Sequence, residues 1–420
     1  MKMPLPPIPR LLPPRWLPVL LALAWHCARA VADAPIVDLP KTGLSPQELA
    51  VVVNDNDPVS VRIGEYYLER RGIPAANLLH TRFPANVAAL SRDAFSRLRA
   101  DVEKQTGPRI QAYALAWTLP YRVDCMSITS AFALGFDEAY CSARQCATTK
   151  PSGYFNSPSH APYTDHRMRP AMLLAGQRFE DAKALIDRGV ASDQSYPDHT
   201  GYLLNTADRQ RSVRAVLFDN TVKALGDAFR LQKLDAESIK DKDDVLFYFT
   251  GLKAVPDLQS LRFVPGAIAD HLTSAGGALE GGGDQMSSLR WLEAGATGSY
   301  GAVVEPCNHP QKFPLPGVAM WRYAEGETLI EAYWKSVAWP GEGVFIGEPL
   351  ARPFAPQLST TGKGQMTLRV FSPAAKPARL EAAASAIGPY RPQAAYSIKS
   401  GLNELKIRLP KPGLAYRIVY

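Results

Sequence analysis

The chain has 420 residues, of which 46% are hydrophobic and 21% are charged, and its formal net charge is +7. This composition is typical of a globular protein, and the length suits one large domain with a smaller one. The charge is mild and no basic stripe with interleaved aromatic residues occurs, which argues against a nucleic-acid partner.

The first 30 residues have the pattern of a secretory signal peptide. Basic residues at positions 2, 10 and 15 precede an apolar run, Trp16–Trp25. That run is shorter than the roughly 20 residues needed to span a bilayer. Small-residue cleavage sites end at Ala30 and at Ala34. We therefore expect export to the periplasm or the extracellular space, with no integral membrane segment after cleavage; an uncleaved N-terminal anchor is the alternative.

Removal of residues 1–30 lowers the net charge. Four basic residues leave with the signal peptide, so that 43 basic residues stand against 40 acidic ones, a net charge of +3. Four cysteines remain, Cys125, Cys141, Cys146 and Cys307. An even number of cysteines in an exported protein predicts disulfides, with three possible connectivities. The short spacing between Cys141 and Cys146 favours that pair, which would leave Cys125 with Cys307.

Strands and helices alternate along residues 31–355. The predicted strands are 49–53, 76–83, 110–118, 171–174, 202–204, 245–249, 266–269, 300–304 and 344–346. The predicted helices are 59–71, 91–104, 179–190, 212–231, 285–294 and 314–339. Continuous apolar strands between amphipathic helices predict an α/β domain whose sheet is mainly parallel and covered on both faces.

The composition changes near Pro356. Short alternating stretches follow, separated by turn signals, at 366–371, 396–398, 405–409 and 416–420. This pattern predicts a small all-β module of sandwich type over residues 356–420.

Polar residues cluster where the strands around residues 245–304 end. Asp270, His271, Thr273 and Ser274 follow one strand, and Glu305 follows the next. Ligands bind beyond the carboxyl ends of parallel strands, and an acid, an imidazole and a hydroxyl are the parts of nucleophilic hydrolysis. Successive strand residues point to opposite faces, however, so Asp270 and His271 are expected to diverge. The favoured interpretation is a hydrogen-bonded structural histidine, with Thr273 and Ser274 capping a turn.

Two further features of this region allow a chemical and a structural interpretation. The glycine-rich loop 276–284 could receive an anion, but it matches no phosphate-binding or dinucleotide fingerprint, and a flexible loop with Asp284 as helix N-cap is the favoured interpretation. Cys307 could act as a nucleophile with His271, whereas export and the even cysteine count favour a disulfide. We expect no cofactor and no metal.

Longer motifs resemble a family of exported bacterial proteins that has no established activity. The motifs cover most of the chain from about residue 45 to residue 354. They are Asn54-Asp-Asn-Asp-Pro-Val-Ser60, Tyr66-Tyr-Leu-Glu-Arg-Arg-Gly-Ile-Pro74, Asp270-His-Leu-Thr-Ser274, Gly295-Ala-Thr-Gly-Ser-Tyr-Gly-Ala-Val-Val-Glu-Pro306, Glu331-Ala-Tyr-Trp-Lys-Ser-Val337 and Gly347-Glu-Pro-Leu350.

The region also resembles gingipain-type cysteine peptidases, which have a caspase-like sheet. In those enzymes one strand ends in the catalytic histidine and the next in the catalytic cysteine. Here Phe247-Tyr-Phe-Thr-Gly-Leu252 fills the first place and Thr273-Ser-Ala-Gly276 the second. Leu252 stands where the histidine would be, and leucine cannot act as a general base. The resemblance therefore implies a caspase-like fold without the peptidase dyad.

These observations predict an exported caspase-like α/β protein with a C-terminal sandwich module and a degenerate peptidase-like site. The favoured function is binding or scaffolding in the cell envelope, with a peptide or glycan as ligand. The alternative is a hydrolase that uses His271 with Ser274 or Thr273, or with Cys307.

Overall fold

A computed structural model describes residues 36–142, 146–281, 283–362, 364–409 and 414–420. The predicted signal peptide, residues 1–30, lies outside the described residues. Within the described part of the chain, no helix is both long enough and apolar enough to cross a bilayer.

The strands and helices alternate over most of the chain. The strands are β1 Ile36–Asp38, β2 Leu49–Asn54, β3 Leu78–Thr81, β4 Ala89–Leu90, β5 Ala112–Leu115, β6 Arg122–Val123, β7 Met126–Ser127, β8 Ala171–Leu173, β9 Thr200–Asn205, β10 Arg230–Asp235, β11 Val245–Gly251, β12 Phe263–Leu272, β13 Gly298–Ala302, β14 Gly343–Gly347, β15 Gln357–Gly362, β16 Gln365–Ser372, β17 Lys376–Ala383, β18 Arg391–Ile398, β19 Gly401–Arg408 and β20 Ala415–Val419. The helices are α1 Pro58–Arg71, α2 Arg92–Gln105, α3 Ile128–Leu134, α4 Pro162–His166, α5 Phe179–Ser192, α6 Phe218–Leu225, α7 Leu289–Glu293, α8 Pro316–Ala324 and α9 Leu329–Ser336.

Ten strands form the central sheet, in the order β10-β9-β11-β12-β13-β14-β8-β5-β2-β3. Neighbouring strands of this sheet run parallel, except that β13 and β14 are antiparallel. The sheet therefore consists of two five-stranded parallel halves that meet at one antiparallel seam. Because the direction of the strands reverses at the seam, the carboxyl ends of the two halves lie at opposite edges of the sheet.

Helices cover both faces of the sheet. Val51 and Val53 of β2 pack into a core with α1, α5, α8 and α9, whereas Ala50 and Val52 pack into a second core with α2 and α3. All four residues are fully buried. The period of two along a strand places alternate side chains on opposite faces, and a strand buried on both faces reads as a continuous apolar run. The mixed α/β architecture with a mainly parallel sheet follows the sequence prediction.

The C-terminal region forms two small sheets, β1-β20-β17-β18 and β15-β16-β19. Side chains from both sheets, including Leu368, Leu380, Ile407 and Tyr416, enclose a hydrophobic cluster of their own. The strand β1 comes from the other end of the chain and pairs in parallel with β20. The two sheets thus pack as a small sandwich.

Two predicted helices are wrong in extent. The segment predicted as one helix over 212–231 forms a 3-10 turn, the helix α6 and the start of β10. The strand β10 is a mostly exposed, polar edge strand, and its pairing with β9 outweighs its weak strand propensity. The segment 314–339 forms two helices, because Gly326 takes a left-handed conformation after α8 and Thr328 with Glu331 forms a capping box at the start of α9.

Candidate functional site

A crevice of about 470 Å³ lies at the carboxyl ends of β12 and β13. Its volume is in the range of ligand-binding clefts. The residues that line it are Cys146, Gln210, Arg211, Leu272, Thr273, Ser274, Gln285, Glu305, Pro306, Cys307 and Asn308. Three of the predicted site residues, Thr273, Ser274 and Glu305, are therefore brought together, while Asp270 and His271 do not line the crevice.

Asp270 and His271 diverge, as expected for consecutive strand residues. The Asp270 carboxylate is fully buried and forms an ion pair with Arg214, with 2.6 Å between Oδ1 and Nη2. Arg214 also donates to the carbonyl oxygens of Thr250 and Pro314. Burial raises the pKa of Asp270 to about 6, although Arg214 opposes that rise. This ion pair ties β12 to the segment before α6 and faces away from His271.

The His271 ring is buried and both of its nitrogens have partners. Nδ1 lies 2.9 Å from the indole Nε1 of Trp291 and accepts its hydrogen bond. Nε2 lies 3.1 Å from the carbonyl oxygen of Met286, to which it donates. A neutral imidazole can satisfy both partners at once, and burial lowers the pKa of His271 to about 3. In this arrangement neither nitrogen is free to accept a proton from a hydroxyl or thiol.

The two hydroxyls that follow differ in their bonding. Thr273 Oγ1 donates to Gln285 Oε1 at 2.6 Å and accepts from Arg211 Nε at 3.0 Å, so its hydroxyl orders the crevice wall. Ser274 is half-buried, lines the crevice and makes no side-chain hydrogen bond to the described residues. Among the candidate nucleophiles, Ser274 is thus the one with a free hydroxyl.

The cysteines pair as Cys125–Cys141 and Cys146–Cys307. The favoured pairing of Cys141 with Cys146 was therefore wrong, because short sequence spacing does not measure spatial proximity in a loop of this length. Cys307 is bonded in the crevice rim and has no thiol to offer as a nucleophile. Glu305 accepts a hydrogen bond from the Cys307 backbone N–H at 2.8 Å and fixes the turn that carries the disulfide.

The glycine-rich loop packs closely on the end of β13. A Cβ at Gly277 would lie 2.6 Å from the carbonyl oxygen of Gly301, so only glycine fits this approach. Asp284 does not cap the following helix, contrary to the prediction. It pairs with Lys253 at 2.6 Å, and α7 begins five residues later, at Leu289. Gly277 of this loop thus allows the chain to pack closely against β13.

Sequence reasoning missed Arg211, which is the cation of the crevice. Its Nε contacts Thr273, and its Nη1 donates to Asp208 at 2.8 Å. Its backbone carbonyl lies so close to Gly251 that a Cβ there would approach it to 1.9 Å. The glycine at the end of β11 therefore seats the arginine loop against the site. Gly251 is a sequence sign that another segment packs closely at this strand end. That segment, the loop with Arg211, lies 40 residues earlier in the chain, so the sequence does not identify it.

Two buried ion networks lie away from the crevice. In the first, the Glu348 carboxylate accepts from Arg71 Nε at 2.9 Å and also bonds Arg71 Nη2 and the Tyr67 hydroxyl. In the second, Glu331 Oε1 lies 3.0 Å from His160 Nδ1, and Lys335 Nζ lies 2.8 Å from Glu327 Oε1. All the residues named in the second network except His160 are buried.

The second network also has the geometry of a cation site. His160, Glu327 and Glu331 each offer one ligand atom, and these atoms lie within 4.8 Å of one another. Burial raises the pKa of Glu327 to about 8, against the opposing effect of Lys335. Burial also acts to raise the pKa of Glu331, but the hydrogen bond with His160 and the charge of Lys335 outweigh it and hold that pKa at about 2. The ammonium group of Lys335 already supplies a positive charge here.

Comparisons with known proteins give little further information. A solved structure described as "Structure of Protease" is 10% identical to this chain, with a TM-score of 0.41 over 90% of this chain and 97% of that one. Likeness at this level carries no argument about function. No protein-family model and no curated protein matches the chain.

Proposed function

We propose that this protein is an exported, non-catalytic binding protein with a caspase-like fold, and that its crevice binds an extended peptide. The observation that carries the proposal is the bonding of His271. Its two nitrogens are held by Trp291 and Met286, while Cys307 is held in a disulfide. The crevice thus has a free hydroxyl at Ser274 but, among the described residues, no free imidazole beside it of the kind that such a peptidase would need.

The strand order supports the caspase-like part of the proposal. The strands β11, β12 and β13 are parallel neighbours, so Leu252 and Ser274 follow adjacent strand ends, as the histidine and cysteine do in the peptidases that the sequence resembles. Leu252 contributes to a hydrophobic cluster with Trp291. Leucine at this position cannot act as a general base, and its apolar side chain instead stabilises the fold by packing into this cluster.

The lining of the crevice favours a peptide over a glycan. Gln210 and Asn308 offer amide donors and acceptors that match a peptide backbone, and Gln285 adds amide donors, since its oxygen already accepts from Thr273 and Ala275. Arg211 has an Nη2 group with no partner among the described residues, and it can bind a carboxylate of the ligand. No aromatic ring belongs to the described lining, although the apolar faces of sugars pack well against such rings.

Export is the second part of the proposal. Two disulfides favour an oxidising compartment. Expression of the full-length chain in a Gram-negative host, followed by fractionation and mass determination of the N-terminus, tests it. We expect mature protein outside the cytoplasm that starts after Ala30 or Ala34. Intact protein in the cytoplasm would contradict export without touching the binding proposal.

A peptide array tests the crevice. We expect the mature protein to retain a subset of short immobilised peptides, with acidic side chains or free carboxyl termini enriched. Arg211→Ala should weaken this binding by about tenfold or more, because a charge-assisted hydrogen bond is lost. Asn308→Trp should block the crevice without removing a buried contact, and Arg209→Ala, an exposed neighbour, should bind as the unchanged protein does.

The hydrolase alternative predicts a different result in the same set of variants. It requires His271 to leave Trp291 and Met286 and to reach Ser274, Thr273 or the reduced Cys307. Turnover of a fluorogenic peptide or ester library that disappears in Ser274→Ala or His271→Asn would overturn the non-catalytic proposal. If the retained peptides bind Arg211→Ala and Asn308→Trp as tightly as they bind the unchanged protein, the crevice is not their binding site.

A further inference from the structure

A second cavity has a volume of about 530 Å³ and shares no lining residue with the crevice. Most of the charged residues that line it are arginines. We call it the arginine pocket. It is formed by α2, α3, the start of β5 and the segment that includes α4. The side chains that matter are Arg99, Glu103, Phe132, Tyr163, Arg167 and Arg169. None of them belongs to the crevice or to the two buried ion networks.

The arginine pocket has an excess of positive charge. Arg99 pairs with Glu103 at 2.8 Å, but Arg167 and Arg169 form no ion pair with the described residues. Three cations therefore face one anion in the pocket lining. Arg99 Nε is also buried without a hydrogen-bond partner among the described residues. Buried donors of this kind are costly unless an acceptor reaches them.

Arg169 is positioned rather than free to move. Its guanidinium carbon lies 3.3 Å from the centroid of the Tyr163 ring, and its Nε donates to the Ile110 carbonyl oxygen at 2.9 Å. Stacking and one hydrogen bond fix the plane of the guanidinium and leave its two Nη groups for a ligand. Such preorganised arginines bind anions with two parallel hydrogen bonds.

We propose that the arginine pocket binds a phosphate monoester. The two unpaired arginines match the charge of such a ligand, which is about −1.5 to −2 at neutral pH. A carboxylate or a sulfate ester carries a single negative charge and would leave one arginine unpaired. The half-buried Tyr163 provides apolar surface for an organic group attached to the phosphate. A cavity of this size holds the phosphate together with a group such as a ring or a sugar.

Three probes of one shape test the charge preference. Phenyl phosphate, phenyl sulfate and benzoate are titrated into the mature protein by calorimetry at pH 7.5. We expect phenyl phosphate to bind at least about tenfold more tightly than the two monoanions. Its affinity should fall as the pH is lowered to about 5, because the second pKa of the phosphate is near 6, whereas the affinity for phenyl sulfate should stay constant.

Matched variants locate the binding. Arg167→Gln removes an exposed arginine that makes no ion pair, so the fold should be unaffected, and phenyl phosphate should bind about tenfold more weakly. Arg169→Gln should have the same or a larger effect. Arg97→Gln, on the exposed side of α2, is the control and should not change the affinity. Equal affinity in all four proteins, equal affinity for the three probes, or no saturable binding would each overturn the proposal.

Discussion

The crevice and the two buried ion networks use polar side chains in opposite ways. In the networks, Glu348, Glu331 and Lys335 are fully buried and bonded to partners on other elements. In the crevice, Ser274 and the Nη2 group of Arg211 have no partner among the described residues. Buried charges that are paired within the protein hold the fold, whereas the polar groups that line the crevice without a partner among the described residues are available to a ligand.

The sequence motifs divide in the same way. Tyr67, Arg71 and Glu348 belong to two motifs that are far apart in the chain and meet in one network. Glu331 and Lys335 belong to a third motif and lie in the other. These motifs therefore describe how α1 is fixed to the end of β14 and how α9 is fixed to the loop that carries His160. Arg211, the cation of the crevice, lies in none of them.

The rim of the crevice is fixed covalently, and this gives the largest expected effect. Cys146–Cys307 closes a loop of 161 residues and Cys125–Cys141 a loop of 16. In the chain-entropy description, removing them costs about 5 and about 3 kcal/mol, respectively. Urea unfolding of the two double serine variants should show this order. The reverse order would mean that the rim contributes little to the stability of the folded chain.

The Glu348 network should be nearly as sensitive. In Glu348→Ala, Arg71 keeps its charge with a side chain that is only 6% exposed and retains only the partly exposed Asp193 as a partner, and Tyr67 loses its acceptor. We expect the free energy of unfolding to fall by about 3–5 kcal/mol in urea titrations, as for other buried pairs that lose one partner. Glu69→Ala, at an exposed position of α1, is the control. A loss of less than about 1 kcal/mol in Glu348→Ala would mean that this buried carboxylate does not hold the fold.

The protonation of His271 makes stability depend on pH. The folded-state pKa of about 3 lies below the usual value of 6.5, so the unfolded chain binds a proton first as the pH falls. The stabilisation is complete above pH 6.5 and is lost between pH 6.5 and 3, at up to about 1.4 kcal/mol per pH unit. His271→Asn does not titrate, so its stability should fall less over this range. Identical pH profiles would indicate a histidine that titrates normally.

Ser274→Ala should have the smallest effect. The hydroxyl has no protein partner among the described residues, so the free energy of unfolding should change by less than about 0.5 kcal/mol. Thermal unfolding should be measured for this variant and for Thr273→Ala under the same conditions. Thr273 bonds Arg211 and Gln285, and its removal should cost about 1–3 kcal/mol. A large fall in the free energy of unfolding of Ser274→Ala would instead mean that the Ser274 hydroxyl stabilises the fold.

Local pattern was sufficient to predict much of the architecture. The apolar runs at 245–249 and 266–269 lie within β11 and β12, and the run at 300–304 overlaps β13, because strands buried on both faces consist largely of apolar residues. The polar edge strand β10 has no such signal and was missed. The antiparallel seam between β13 and β14 also has none, since strand direction depends on the long connection through α8 and α9.

The site was predicted in part for the same reason. Thr273, Ser274 and Glu305 follow strand ends, and the ends of neighbouring parallel strands meet. Arg211 and the Cys146–Cys307 bond reach the crevice through loops whose paths are set by tertiary packing. The role of His271 depends on its hydrogen bond with Trp291 of α7. The spacing of these two residues in the sequence does not predict that bond.

The pairing of β1 with β20 has a consequence for how the protein is made. Ile36 is paired with Ala415, so the sandwich joins segments separated by almost the whole chain. During synthesis β1 emerges long before β20. The pairing of β1 with β20 can therefore form only after the segments of the central sheet have emerged, so the sandwich closes late.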